Sequence, residues 1–167
     1  LYLQDSIRIA GQLFATAGLR FDHHSRADDA LTYRLAPAYI FKATQTKVRA
    51  SLGSGFKSPS LYQLYAPGTI FGPIGNPGLE PERSLGWDAG VEQPLFGGRA
   101  RAALTYFHND FRNLIDFSSY QGYVNVGLAE TKGVEVEFSA RPWEALSFNL
   151  VYSRLEARDE VRGIPLL

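Results

Sequence analysis

The sequence predicts an all-β protein, an antiparallel up-and-down sheet that forms part of a transmembrane barrel. Three observations predict it. Apolar residues recur at every second position through most of the 167 residues, the period of a strand with one apolar face. The connections between these stretches alternate short and long, as where one rim of a membrane barrel carries plain turns and the other carries loops. The stretches are about 10 to 13 residues long, above the usual globular strand of about 5 to 6, and fit a tilted strand crossing a ~25 Å apolar band.

The elements follow in order. LYLQD reads as the tail of a strand. Leu13, Ala15, Ala17, Leu19 and Phe21 then alternate with Thr16, Gly18 and Arg20. Leu31, Tyr33, Leu35, Pro37, Tyr39 and Phe41 oppose Thr32 and Arg34. Val48, Ala50, Leu52, Ser54 and Phe56 oppose Arg49, Ser51, Gly53, Gly55 and Lys57. Leu85, Trp87, Ala89 and Val91 oppose Ser84, Gly86, Asp88, Gly90 and Glu92. Ala100, Ala102, Leu104 and Tyr106 oppose Arg99, Arg101, Ala103 and Thr105. Val134, Val136, Phe138 and Ala140 oppose Gly133, Glu135, Glu137, Ser139 and Arg141, and Leu146, Phe148, Leu150 and Tyr152 oppose Ser147, Asn149 and Ser153. That makes seven to eight strands and no helical period of any length. The short connections are Lys42–Thr46, Phe96–Gly98 and Pro142–Glu144; the long ones are Asp22–Ala30, Lys57–Arg83, Asp110–Asn125 and the tail after Glu156. Pro37, in mid-strand, removes a ladder hydrogen bond, so a bulge or a local break is expected there.

Composition narrows the function. Seventeen basic residues against seventeen acidic ones leave no basic patch, which argues against a nucleic-acid partner. With no Cys there is neither a disulfide framework nor a thiolate metal site. No stretch approaches the roughly 20 apolar residues of a transmembrane helix. The segment Leu1–Ala10, with Asp5 and Arg8 and no apolar run, does not read as a signal peptide. Nine Tyr, eleven Phe and sixteen Gly with few Lys favour β structure. On pattern alone two architectures stay open, a soluble β-sandwich and a membrane barrel. Aromatics near strand ends (Phe21, Tyr39, Phe41, Phe56, Trp87, Tyr106, Phe138 and Tyr152) suit the two interfacial girdles of a barrel.

Chemistry-bearing residues are few. Tyr62, Tyr65 and Phe71 in the 57–83 connection, with Tyr120 and Tyr123 in the 110–125 connection, are the ligand-contact candidates, because an aromatic ring offers a large contact area for few rotors lost. The alternative is that they pack within and between loops. His23 and His24 beside Asp22, Asp28 and Asp29 have metal-ligand chemistry but read better as a solvated turn, and no metal or other cofactor is expected. Glu135 and Glu137 near Arg141, like Asp88 and Glu92, alternate on the face that also carries Arg20, Arg34 and Arg49. A charge-paired, hydrated barrel interior explains them better than acid–base catalysis. No triad order, P-loop, HExxH or dinucleotide fingerprint is present, so no enzyme is expected.

Four stretches carry a family resemblance: Gly55-Phe56-Lys57-Ser58-Pro59-Ser60-Leu61, Asn76-Pro77 to Leu79-Glu80-Pro81-Glu82, Asn125-Val126-Gly127, and Lys132-Gly133-Val134-Glu135. In that order they resemble the GFKAPSL, NPxLxPE and N-x-G…KGVE elements of TonB-dependent outer-membrane receptors. Leu114-Ile115-Asp116 and Gly163-Ile164-Pro165-Leu166-Leu167 resemble the cobalamin-receptor branch more faintly. The resemblance implies that residues 1–167 are part of a barrel of about 22 strands with a plug inside it, without the plug or the closing strand. It implies an integral protein of the bacterial outer membrane that takes up a scarce nutrient, an iron–siderophore or cobalamin. Its partners would be the lipid bilayer, its own plug domain, the small ligand and the TonB complex, which couples uptake to energy. A passive porin or adhesin barrel is the alternative.

Overall fold

The computed structural model describes residues 1–23, 29–70, 72–160 and 163–166. They form one antiparallel sheet of nine strands whose spatial order is the chain order. The strands are β1 (Tyr2–Ile9), β2 (Leu13–Asp22), β3 (Ala30–Ile40), β4 (Lys47–Lys57), β5 (Glu82–Leu95), β6 (Ala100–Ser118), β7 (Gly122–Trp143), β8 (Leu146–Asp159) and the two-residue β9 (Ile164–Pro165). One five-residue helix, α1 (Leu61–Tyr65), lies between β4 and β5. The up-and-down meander is therefore as predicted.

Pairing register turns the period of two into two faces. One transverse row runs Ile9–Leu13–Tyr39–Val48–Val91–Leu104–Val136–Tyr152 across eight strands, every member apolar or aromatic. The adjacent row runs Arg8–Phe14–Ala38–Arg49–Gly90–Thr105–Glu135–Ser153 and points the other way. Among the described residues nothing covers the apolar face: Leu104 is 48% exposed and Tyr152 59%. Among the described residues no large side chain is fully buried. A second sheet packed over this face would have made a sandwich, but the described strands all lie in one sheet. Left in water, each such face would forfeit about 25 cal/mol per Å² of apolar surface, whereas a hydrocarbon surround removes that penalty. Asp5, in register with Ala17, interrupts the apolar face on the edge strand β1.

The polar face is a lattice of paired charges. Arg49 lies 3.4 Å from Asp88 and donates to Thr105 Oγ1 at 3.0 Å; Ser51 donates to the same Asp88 carboxylate. Arg101 bridges Glu92 at 3.1 Å and Glu137 at 3.5 Å. Asp88, Glu92 and Glu137 thus each face a guanidinium on an adjacent strand. Arg141 lies apart from Glu135 and Glu137 and donates to the Glu144 carbonyl.

Three expectations change, and the local break expected at Pro37 is found. The 110–125 stretch is not a long loop: β6 and β7 stay paired from Asp110↔Glu130 to Ser118↔Gly122 and turn over residues 119–121. Ladder hydrogen bonds satisfy the backbone there without an apolar face, so the sequence period fades while the strand persists. The tail after Glu156 continues β8 to Asp159 and adds β9. The connection after Lys57 contains a helix, signalled by a capping box rather than by a period: Ser60 Oγ accepts from the Gln63 N–H at 3.2 Å and Gln63 Oε1 from the Ser60 N–H at 2.8 Å. At Pro37 the β3–β4 ladder lapses between Leu35↔Leu52 and Ala38↔Arg49 but resumes in the same register; the missing N–H removes bonds without inserting a residue.

The strand lengths divide the sheet into a wall and a projection. β2 to β4 have 10 or 11 residues, whereas β6 has 19 and β7 has 22. A tilted strand of about 9 to 11 residues crosses the hydrocarbon, so β6 carries a surplus of at least about 8 residues, about 26 Å of strand at ~3.3 Å per residue, and β7 more. The paired Trp87 and Tyr106 rings, 5.4 Å apart, lie on the loop side of the apolar band, and Tyr39 and Phe41, 4.9 Å apart, on the turn side.

Candidate functional site

The β4–β5 connection is anchored onto the projecting β6–β7 hairpin. Asn125, on β7, donates from Nδ2 to the Glu80 carbonyl at 2.9 Å and to the Asn113 carbonyl at 2.8 Å, while its Oδ1 accepts from the Glu80 N–H at 2.8 Å. The Glu80 carboxylate accepts from Asn113 Nδ2 at 2.7 Å. Glu82 accepts from the Ile115 N–H at 3.0 Å and from Lys57 Nζ at 2.8 Å, which ties the two ends of the loop together. Asn76 forms an Asx turn with the Gly78 N–H at 2.9 Å and donates to the Tyr123 carbonyl at 2.9 Å. The Tyr123 N–H in turn donates to the Ile74 carbonyl at 2.9 Å.

Glycine makes the close approach possible. Gly122 has φ +72°, and a Cβ there would press into the Ile74 carbonyl. Leu64 on α1 and Leu79 are buried beneath the loop. Asn76 is thus both a turn-former and a cross-link. Asn113, Asn125, Glu80 and Glu82 were not singled out for any role. A polar residue whose partner lies 45 positions away leaves no periodic mark.

This anchoring brings some of the aromatic candidates together. Tyr62, on α1, meets Tyr123 edge to face at 6.2 Å, and Tyr123 meets its cross-strand partner Phe117 at 5.3 Å. Phe117 is not among the candidates; its place between Asp116 and Ser118, two residues after Ile115, is the signal for it. Tyr62 is 60% exposed, so its ring is both packed and presented. Tyr120 stands apart at the hairpin tip, 88% exposed. Tyr65 is half exposed on the last turn of α1. Phe71 lies outside the described residues.

The histidine candidates fare differently. His23 Nδ1 lies 2.6 Å from Asp29, while His24 and Asp28 lie outside the described residues. Among the described residues the metal-ligand chemistry instead gathers at His108, Asp110 and Glu130 on β6 and β7. There His108 pairs with Asp110 at 3.1 Å and Glu130 with Lys132 at 2.7 Å, so the three donors already have partners.

A one-layer meander with an apolar face, interfacial aromatics and an anchored loop rim is the wall of an outer-membrane-type β-barrel. Within that class the chain belongs to the TonB dependent receptor-like, beta-barrel family, whose model matches residues 1–166. Solved structures agree. The siderophore receptor PirA from Pseudomonas aeruginosa is 29% identical with a TM-score of 0.80, over 93% of this chain and 32% of that one. The ferric enterobactin receptor PfeA of the same organism is 26% identical with a TM-score of 0.78, over 97% of this chain and 27% of that one. The copper transporter OprC, 16% identical with a TM-score of 0.78 over 99% of this chain and 28% of its own, shares the fold. The chain thus spans between a quarter and a third of the length of the receptors it matches.

Proposed function

We propose that residues 1–167 are part of the barrel wall of an outer-membrane receptor that takes up a scarce nutrient with energy from TonB. The observation that carries this reading is the anchored aromatic platform of Tyr62, Tyr123 and Phe117 at the loop rim of a barrel of this family. Hydrogen bonds from Asn76 and Asn125 hold it before any ligand arrives, so little ordering entropy is lost on binding. The ligand-contact residues are Tyr62, Tyr65, Phe71, Tyr120 and Tyr123. A ferric siderophore is favoured over cobalamin, because the two relatives at 25% identity or more cited above are siderophore receptors. The plug, the TonB complex and the surrounding bilayer are the partners of the whole receptor.

The test uses the full-length receptor. Tyr62→Ala with Tyr123→Ala should weaken binding of a ferric catecholate siderophore at least tenfold, measured by intrinsic fluorescence quenching. Unchanged affinity removes both residues from the site. A protonophore should abolish uptake while leaving binding intact; uptake that survives it would mean a passive barrel.

A further inference from the structure

The apolar face carries a groove with a graded lining. It lies over β3, β4, β5 and β6, has a volume of about 320 Å³, and is lined at its apolar end by Leu31, Tyr33 and Leu85. Its floor is Ser54, a small residue between larger flanking side chains. Register places all of these on the same face as Trp87, because Ser54 pairs with Leu85 and Trp87 lies two residues further along β5.

The end remote from the membrane is cationic. Arg83 and Arg112 are directly opposed across β5 and β6, and like charges in that position destabilise a sheet. Both are exposed, and neither forms an ion pair among the described residues. Arg83 lies over the Phe56 ring at 5.9 Å. The one carboxylate lining the groove, Asp110, is paired with His108. Arg83 stands four residues beyond Trp87, about 13 Å along a strand at ~3.3 Å per residue. The groove therefore runs from an unpaired diguanidinium outside the aromatic girdle to an apolar trough that meets it.

We propose that this groove holds one membrane lipid bearing a phosphate. The phosphate sits between Arg83 and Arg112, relieving their repulsion through charge-assisted hydrogen bonds, and one acyl chain lies against Leu31, Tyr33 and Leu85. The direction of the polarity gradient carries the inference: a soluble anion has no use for the apolar trough, and a neutral lipid has none for the paired guanidiniums. The inference rests on the barrel reading of the chain.

The experiment uses the full-length receptor, delipidated in detergent and offered dioleoyl phosphatidic acid, dioleoyl phosphatidylcholine or inorganic phosphate, with bound lipid counted by native mass spectrometry. Phosphatidic acid should be retained at least tenfold over phosphatidylcholine. Arg83→Gln with Arg112→Gln should abolish that preference, and Lys at both positions should keep part of it. Leu31→Asp should lower retention of phosphatidic acid more than fivefold. Equal retention of both lipids, an unaltered preference in the double Gln variant, or displacement by millimolar inorganic phosphate would each overturn the proposal. Heat-resistant migration of the folded barrel in SDS is read separately for every variant. Its absence in the wild-type receptor would count against the barrel itself; its presence with no lipid preference would count against the groove alone.

Discussion

Asn125 holds Glu80 at two points of its backbone, accepting from its N–H at 2.8 Å and donating to its carbonyl at 2.9 Å. One side chain on the projecting hairpin thereby substitutes for a strand neighbour just before β5 begins. The loop between β4 and β5 is docked by this contact rather than by a hydrophobic core of its own, since Leu64 and Leu79 are its only buried large apolar residues among those described.

Asn125→Ala should therefore undock the loop and leave the wall standing. Its two hydrogen bonds to the loop at about 1 kcal/mol each give about 2 kcal/mol of local docking lost. Hydrogen exchange should show faster exchange at Glu80 and Leu79, with protection in β4 to β6 unaltered.

Two glycines with similar φ angles should respond differently to alanine. Gly97 has φ +64° with open space where a Cβ would stand, so Gly97→Ala should cost only the left-handed strain of about 1 kcal/mol. Gly122→Ala adds a collision with the Ile74 carbonyl to the same strain and should cost at least twice as much. Limited proteolysis of the 58–81 loop should accelerate for the second variant only.

The two faces predict opposite tolerance to charge. Val136 lies in the apolar row and its chain neighbour Glu135 in the polar one. Val136→Arg should lower folding stability in lipid by about 2 to 4 kcal/mol if the position is near the midplane. Glu135→Arg should cost far less, because it faces a hydrated, charged lattice. Urea titration in lipid vesicles measures both.

Tyr62 and Tyr123 should be coupled before any ligand binds. A double-mutant cycle to alanine, read as loop protection in hydrogen exchange, should give about 0.5 to 1.5 kcal/mol, the range for edge-to-face rings. Strict additivity would mean that the two rings stand independently at the rim.

Much of the wall was legible in the sequence. From Leu13 to Tyr152 the outward residues named from alternation fall on one face, because a strand repeats every two residues wherever one side meets hydrocarbon and the other meets polar groups. Legibility ended where that contrast ended. Past Asp110 the hairpin leaves the hydrocarbon and meets the docked β4–β5 loop and water, so its ladder continues without a clean period and the sequence there reads as a loop. α1 escaped notice because five residues are too few to show a helical repeat, though Ser60 and Gln63 mark its start.

The sequence by itself determined the strands, their two faces and the family, since each depends on local alternation or on short motifs in order. Only the tertiary structure decided that the apolar face lies bare in a single layer. It also decided that Tyr62 meets Tyr123 while Tyr120 does not, and that Arg83 opposes Arg112. These depend on register between segments up to 61 residues apart, set jointly by every cross-strand pair and by no single residue. Register decides which side chains become neighbours, and composition along one strand carries no record of the strand beside it.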